Sequence, residues 1–148
     1  LAAALTLADL PGDRRVLVDK SAWVRLRRPA VRELVRPLVA GGRARVFDLS
    51  VLEIGYSARS ARDLERLLAD LATFGRVTAT RETFDRAFAL QRALAGEGSH
   101  RLPVVDVALA AAAEQHHLDV LHYDRDFDVL AGHGAFESCW LAAAGTLS

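Results

Sequence analysis

Short apolar runs alternate along this chain with longer segments in which apolar residues recur every three or four positions. Val16-Leu17-Val18 is too short for a helix and too apolar for a half-solvated strand, so Arg15 to Asp19 predicts a strand buried on both faces. Ser21 to Ala40 is helical in composition, interrupted by Pro29 and Pro37 and stopped by Gly41-Gly42. Ala44 to Asp48 predicts a second strand. Ser50 to Phe74 predicts one helix, with Leu64, Leu67, Leu68 and Leu71 on a single face. Gly75 ends it, and Val77 to Ala79 is a short third strand. Arg81 to Ala95 predicts a helix carrying Phe84, Ala87, Phe88 and Leu94. A flexible connection, Gly96 to His100, and Pro103 precede an apolar, Ala-rich helix from Val104 to His116. Asp119 to Tyr123 is the fourth strand, Arg125 to Leu130 a short helix, and Phe136 to Leu141 a terminal strand. Such alternation predicts an α/β fold on a mainly parallel sheet.

Composition narrows the class. A chain of 148 residues suits one domain with a sizeable core, and its 51% apolar content argues against disorder. No apolar run reaches the ~18 residues that span a membrane. Leu1 to Leu10 is apolar but lacks a basic leader region, which argues against a secretory signal. Asp9 to Asp13 reads as a turn, so residues 1–14 are set apart as an extension of unknown role and 15–148 as the domain. The lone cysteine, Cys139, excludes an intrachain disulfide framework, and its neighbours Phe136, Trp140 and Leu141 mark a buried structural thiol. A reducing cytoplasm is the natural compartment. Net charge is zero, yet Arg25, Arg27, Arg28, Arg32, Arg36, Arg43 and Arg45 crowd the first third with only Glu33 against them. That distribution suits either a solvated helical face or a surface that tracks phosphates.

Acidic placement carries the chemistry. Asp19 closes the first strand, Glu53 follows the second, Asp106 interrupts an apolar helix and Asp124 follows the fourth strand. An unpaired buried charge is costly. Four carboxylates converging at one sheet end would repel by several kcal/mol per close pair at an effective dielectric of about 20. A divalent cation removes that penalty, and an all-oxygen donor set favours Mg²⁺ or Mn²⁺. In parallel α/β sheets ligands bind beyond the carboxyl ends of the strands, where all four acids can meet.

Each acid also has a structural reading. Ser50 to Glu53 has the form of a capping box, Asp124 can cap the helix after it, and Asp106 can favour a helix N-terminus through the macrodipole. Asp19 has the weakest such explanation, because Ser21 is the better cap. One shared site explains all four together. Asp124, Asp126 and Asp128 alternate as in an EF-hand loop, but Val129 stands where Gly is needed and Ala135 where Glu is needed. Asp126 then reads as a supporting or fifth metal carboxylate and Asp128 as solvated. Gly41-Gly42 and Gly132-His133-Gly134 lack a strand–Gly–helix setting for phosphate. His116 and His117 are adjacent, cannot share a helix face as a zinc pair, and read as surface residues.

The chain resembles the PIN-domain ribonucleases, specifically the VapC-type toxins of bacterial toxin–antitoxin modules. The likeness runs from Val16 to Leu141 and rests on four segments in order: Val18 to Trp23, Ser50 to Glu53, Pro103 to Asp106 with its Ala-rich helix, and His122 to Asp128. Two departures stand out. Lys20 follows the first acid, and His122 precedes the fourth by two residues, where many members carry Thr or Ser.

The resemblance implies a three-layer α/β/α fold with a central sheet of about five strands. It implies that Asp19, Glu53, Asp106 and Asp124 ligate one or two Mg²⁺ or Mn²⁺ ions, with Ser21 and Asp126 in support. The chemistry implied is hydrolysis of RNA by a metal-activated water, leaving a 5′ phosphate. Arg25, Arg27, Arg28 and Arg101 are candidate substrate contacts. A homodimer and a small antitoxin that blocks the site are the implied partners. A PIN-like domain that only binds RNA or protein is the rival reading, and a metal-dependent phosphatase or DNA nuclease the third.

Overall fold

The computed structural model describes residues 4–147, so residues 1–3 of the N-terminal extension lie outside the described residues. Five parallel strands form the sheet: β1 (Val16–Val18), β2 (Ala44–Phe47), β3 (Gly75–Val77), β4 (Asp119–His122) and β5 (Ser138–Trp140). Their spatial order is β3-β2-β1-β4-β5. The chain therefore moves outward from β1 in one direction, then returns to start the other flank at β4. Register pairs Val16, Leu17 and Val18 of β1 with Asp119, Val120 and Leu121 of β4. Beyond the carboxyl ends of β1 and β4 the chain passes to opposite layers at this reversal, the place where a parallel sheet opens a crevice.

Side-chain alternation along the strands divides the core into two faces. Leu17, Phe47, Val77 and Val120 face one helical layer. Val16, Val18, Val46 and Leu121 face the other. The first layer contains α5 (Arg81–Ala95), α6 (Val104–His116) and α7 (Asp126–Ala131). The second contains α1 (Lys20–Trp23), α2 (Pro29–Ala40), α3 (Asp48–Tyr56) and α4 (Ala61–Leu71). The three-layer α/β/α expectation holds.

Local physics explains where the elements depart from the pattern. The segment read as one helix from Ser50 to Phe74 is two. Helix α3 starts at Asp48, directly after β2, and ends where the Ser57 hydroxyl donates to the Ile54 carbonyl at 2.6 Å. Ser60 then caps α4, its hydroxyl accepting from the Asp63 amide at 3.0 Å. Pro29 occupies the first turn of α2, where its missing N–H costs nothing, and Arg28 before it is extended as the proline ring requires. Thr80 and Thr83 make a reciprocal capping box at the start of α5. The third strand lies two residues earlier than the apolar pattern placed it. The Trp140 amide donates to the Leu5 carbonyl at 2.8 Å and Thr6 bridges Trp140, so the N-terminal segment covers the free edge of β5.

Helix α6 explains its own composition. Asp106 through Ala113 are buried without interruption, so no face of this stretch is left for solvent. It packs against α5, α3, α7 and the strands β1 and β4. Alanine keeps those approaches close while retaining the highest helix propensity. Ala112, with no exposed surface, has no room for a larger group. Ala112→Leu is therefore expected to destabilise the fold by about 1–3 kcal/mol. A urea titration should show a lower midpoint with the same slope; an unchanged midpoint would mean the layer has slack.

Candidate metal centre

Local hydrogen bonds aim the acids at the β1–β4 crevice. Asp19 leaves β1 extended and becomes the N-cap of α1, with Oδ2 accepting from the Ser21 amide at 2.9 Å. This corrects the assignment of the cap to Ser21. The Asp19 amide donates to the Leu121 carbonyl at 2.9 Å, which fixes the turn against β4. Ser21 completes the junction, its hydroxyl accepting from the Tyr123 amide at 2.9 Å. Across the crevice, Asp124 Oδ1 accepts from the Asp126 amide at 3.0 Å, a local turn ahead of α7, whose N-cap position is Arg125 and not Asp124 as read from the sequence.

Asp106 projects from the first turn of α6 and is only 7% exposed. Oxygens of Asp106, Asp124 and Asp126 all lie within 4.8 Å of one another. Glu53, half-buried, comes from the middle of α3 rather than its first turn. Since α3 begins at Asp48, Ser50 is inside the helix and the Ser50–Glu53 capping box is not formed.

Electrostatics binds the set together. Burial, then the charges of Asp19, Asp124, Glu53 and Asp126, pushes the Asp106 carboxyl up to about 8. Burial likewise raises Asp19, with Asp124 adding to the shift. Burial and the charge of Asp19 raise Glu53, against which Lys20 acts in the opposite direction. Asp126 is raised by burial and by Asp124. The second oxygen of Asp19 is buried without a hydrogen-bond partner. An acceptor in that position is costly unless a cation or a proton meets it. The close group is Asp106, Asp124 and Asp126, an all-oxygen set that fits a hard divalent ion, while Asp19 and Glu53 lie outside that group and join it through their charge.

The PIN domain family model matches residues 16–133. The chain belongs to the PIN-domain family. Among its relatives, Ribonuclease VapC51 of Mycobacterium tuberculosis is 39% identical over 133 residues, covering 90% of this chain and 97% of that protein. Ribonuclease VapC21 of the same species is 37% identical over 138 residues, covering 89% and 97%. Among solved structures, the DNA-bound VapBC of Salmonella typhimurium shares the fold with a TM-score of 0.68 at 14% identity, covering 87% of this chain and 99% of that one. VapBC-5 of Mycobacterium tuberculosis superposes with a TM-score of 0.62 at 19% identity, covering 85% and 98%.

The arginines of this PIN domain divide by setting. Arg25 is half-buried, donates to the Ser21 carbonyl at 2.6 Å and stacks over Tyr123 at 4.2 Å, so it braces the α1–β4 junction. Arg27 is exposed and lines the groove between α2 and α4, whose lining includes none of the four carboxylates. Arg28 sits half-buried at the start of α2, and Arg101 is exposed ahead of α6. His116 and His117 are exposed, and Cys139 is fully buried with its thiol pushed up to about 12, as a structural thiol should be.

Two residues gain roles that the chain pattern did not show. Asp128 is exposed, as read, and also accepts from Ser138 at 2.6 Å and from the Trp140 indole at 3.1 Å. His122 is fully buried at the end of β4, and burial lowers its imidazole to about 4. One hydrogen-bond partner, Ser138, is in β5, 16 residues away and beyond the reach of local pattern.

The Asp106 shift has a consequence for stability in the absence of cation. Its folded value of about 8 lies above the ordinary 3.8, so the folded state binds the proton more tightly than the unfolded chain. That contribution is complete below about pH 4 and is lost as pH rises through about 8. Asp106→Asn carries no ionisable group there. In EDTA, the variant should gain on the parent in urea-unfolding free energy from pH 4 to 8. A difference constant across that range would contradict the shift.

Proposed function

We propose that this PIN domain is a Mg²⁺- or Mn²⁺-dependent endoribonuclease acting as the toxin of a toxin–antitoxin pair. The observation that carries this reading is the unpartnered Asp19 oxygen, 4% exposed as a residue, in the same charge cluster as an Asp106 carboxyl at about 8. Such a cluster is stable with protons or with a cation and poorly suited to any other task. The names of the relatives supply the substrate class, RNA.

Asp19, Glu53, Asp106 and Asp124, with Asp126 beside them, would hold the ion. When bound, it supplies charge neutralisation at the scissile phosphate and a lowered pKa for an attacking water. The chain does the aiming. The Ser21 and Asp126 amides orient the Asp19 and Asp124 carboxylates, and α6 presents Asp106 between them. Exposed Arg27 and Arg101 are the proposed contacts to flanking phosphates, with Arg28 at the start of α2; Arg25 braces the α1–β4 junction through the Ser21 carbonyl.

The partner reading rests on the surface. Solved structures of this fold include a toxin–antitoxin complex from Klebsiella pneumoniae, with a TM-score of 0.59. Here a groove of about 850 Å³ between α2 and α4 has Trp23, Leu26, Val35 and Phe74 in its lining, and more arginine than aspartate. An antitoxin segment with an apolar face and acidic flanks suits it. Leu52 and Tyr56 are 70% and 90% exposed, four residues apart on α3, and a second copy of the chain covers them in the proposed homodimer. No helix among the described residues is long and apolar enough to cross a membrane. The cytoplasm, where RNA and antitoxin are met, is the proposed compartment. A non-catalytic binding domain is the weaker reading, because it gives four clustered acids no task.

Purified, antitoxin-free protein should cut total RNA at discrete positions with Mg²⁺ or Mn²⁺, leaving 5′ phosphates. EDTA and Asp106→Asn should each abolish the cuts. Metal binding without cleavage of any RNA would overturn the nuclease assignment and favour the binding domain.

A further inference from the structure

His122 lies at the end of β4 with no exposed surface, its ring 5.1 Å from that of Phe127 and 4.8 Å from that of Trp140. Both ring nitrogens are engaged. The Asp124 amide reaches Nδ1 at 3.1 Å, and Nε2 lies 2.5 Å from the Ser138 hydroxyl. A backbone N–H can only donate, so Nδ1 carries the lone pair and Nε2 the proton. Ser138 accepts from Nε2–H and donates its own O–H to Asp128 Oδ1 at 2.6 Å. Asp128 is anchored in turn by the Trp140 indole at 3.1 Å. Every donor in this line has one direction open to it. The line starts on α7 and β5, outside the acidic crevice, and ends on the backbone of Asp124.

We propose that His122 is a positioning residue for the metal centre, held by Ser138 and Asp128 in the tautomer whose Nδ1 fixes the Asp124 amide and thereby aims the Asp124 carboxylate. This role rests on the proposed metal-dependent function and adds to it a set of three residues remote from the substrate. A hydroxyl at position 122 would be too short to span from the Asp124 amide to Ser138. The imidazole spans that distance, which couples the fourth acid to the sheet edge. The Asp124 carboxylate itself is held locally by the Asp126 amide. Without the Nδ1 contact, the turn after β4 gains freedom, and the carboxylate must be ordered when the cation binds. Loss of an outer hydrogen-bonding partner of this kind costs about 10- to 100-fold in metal affinity.

The test uses the full chain and Mn²⁺ alone. Ser138 is half-buried in edge strand β5, so Ser138→Ala leaves the core intact while removing the hydroxyl that selects the tautomer. Titration calorimetry should show Mn²⁺ affinity about tenfold weaker in Ser138→Ala and restored in Ser138→Thr. Long-range ¹H–¹⁵N correlation of the imidazole, without metal, should show Nε2–H alone in the parent and a tautomer mixture in Ser138→Ala. His122→Asn, whose amide oxygen can take the place of Nδ1, should bind Mn²⁺ more tightly than His122→Leu. Unchanged Mn²⁺ affinity in Ser138→Ala, or a lower affinity with the tautomer unchanged, would overturn the role while leaving the nuclease reading in place. Failure of the parent itself to bind Mn²⁺ would overturn both, and is told apart because no variant is needed to see it.

Discussion

Mutual repulsion among carboxylates is the constraint around which the rest of this molecule is arranged. Asp106 is pressed by the charges of Asp19, Asp124, Glu53 and Asp126 in a place where burial already disfavours ionisation. A fold could relieve this by turning the side chains outward, and this one does the opposite. The Asp19 carboxylate is locked by the Ser21 amide, and Asp124 is locked from both the Asp126 amide and the His122 ring. Asp106 stands on the most completely buried helix in the chain. Hydrogen bonding of that kind keeps the charges together when each would be more stable apart, a cost that the proposed cation would relieve.

The sheet topology makes the convergence possible. At the reversal between β1 and β4, two neighbouring strands at the centre of the sheet send their following segments to opposite layers, α1 on one face and α7 on the other. Asp19 and Asp124 take up the two sides of that opening, while α3 and α6 contribute Glu53 and Asp106. Small residues in α6 let it lie close enough to the sheet for Asp106 to reach the crevice. Packing and chemistry are therefore one requirement here: a bulkier α6 would both strain the layer and move the acid.

What the sequence disclosed follows from how local the controlling forces are. Helices α5 and α6 were legible to the residue because Thr80, Gly96 and Pro103 punctuate them. The four acids were legible because charge among apolar residues demands an explanation. The break between α3 and α4 was hidden, since Ser57-Ala58-Arg59-Ser60 contains neither glycine nor proline to mark it. The supposed Ser50–Glu53 cap failed because α3 follows β2 directly, leaving Ser50 inside the helix. Arg25, a candidate phosphate contact, also lies over Tyr123, a contact between residues so far apart in the chain that local pattern does not disclose it. The line from His122 through Ser138 to Asp128 was invisible for the same reason, since strand pairing alone brings β4 and β5 together.

Anomalous diffraction from crystals soaked in Mn²⁺ tests the central claim most directly, because it reports where the cation goes without asking what the protein does with it. The expected result is a peak in the β1–β4 crevice within bonding distance of carboxylate oxygens from Asp19, Asp106 and Asp124. A crevice without a peak, with Mn²⁺ bound elsewhere or not at all, would contradict the account and leave protonation as the means by which these acids coexist.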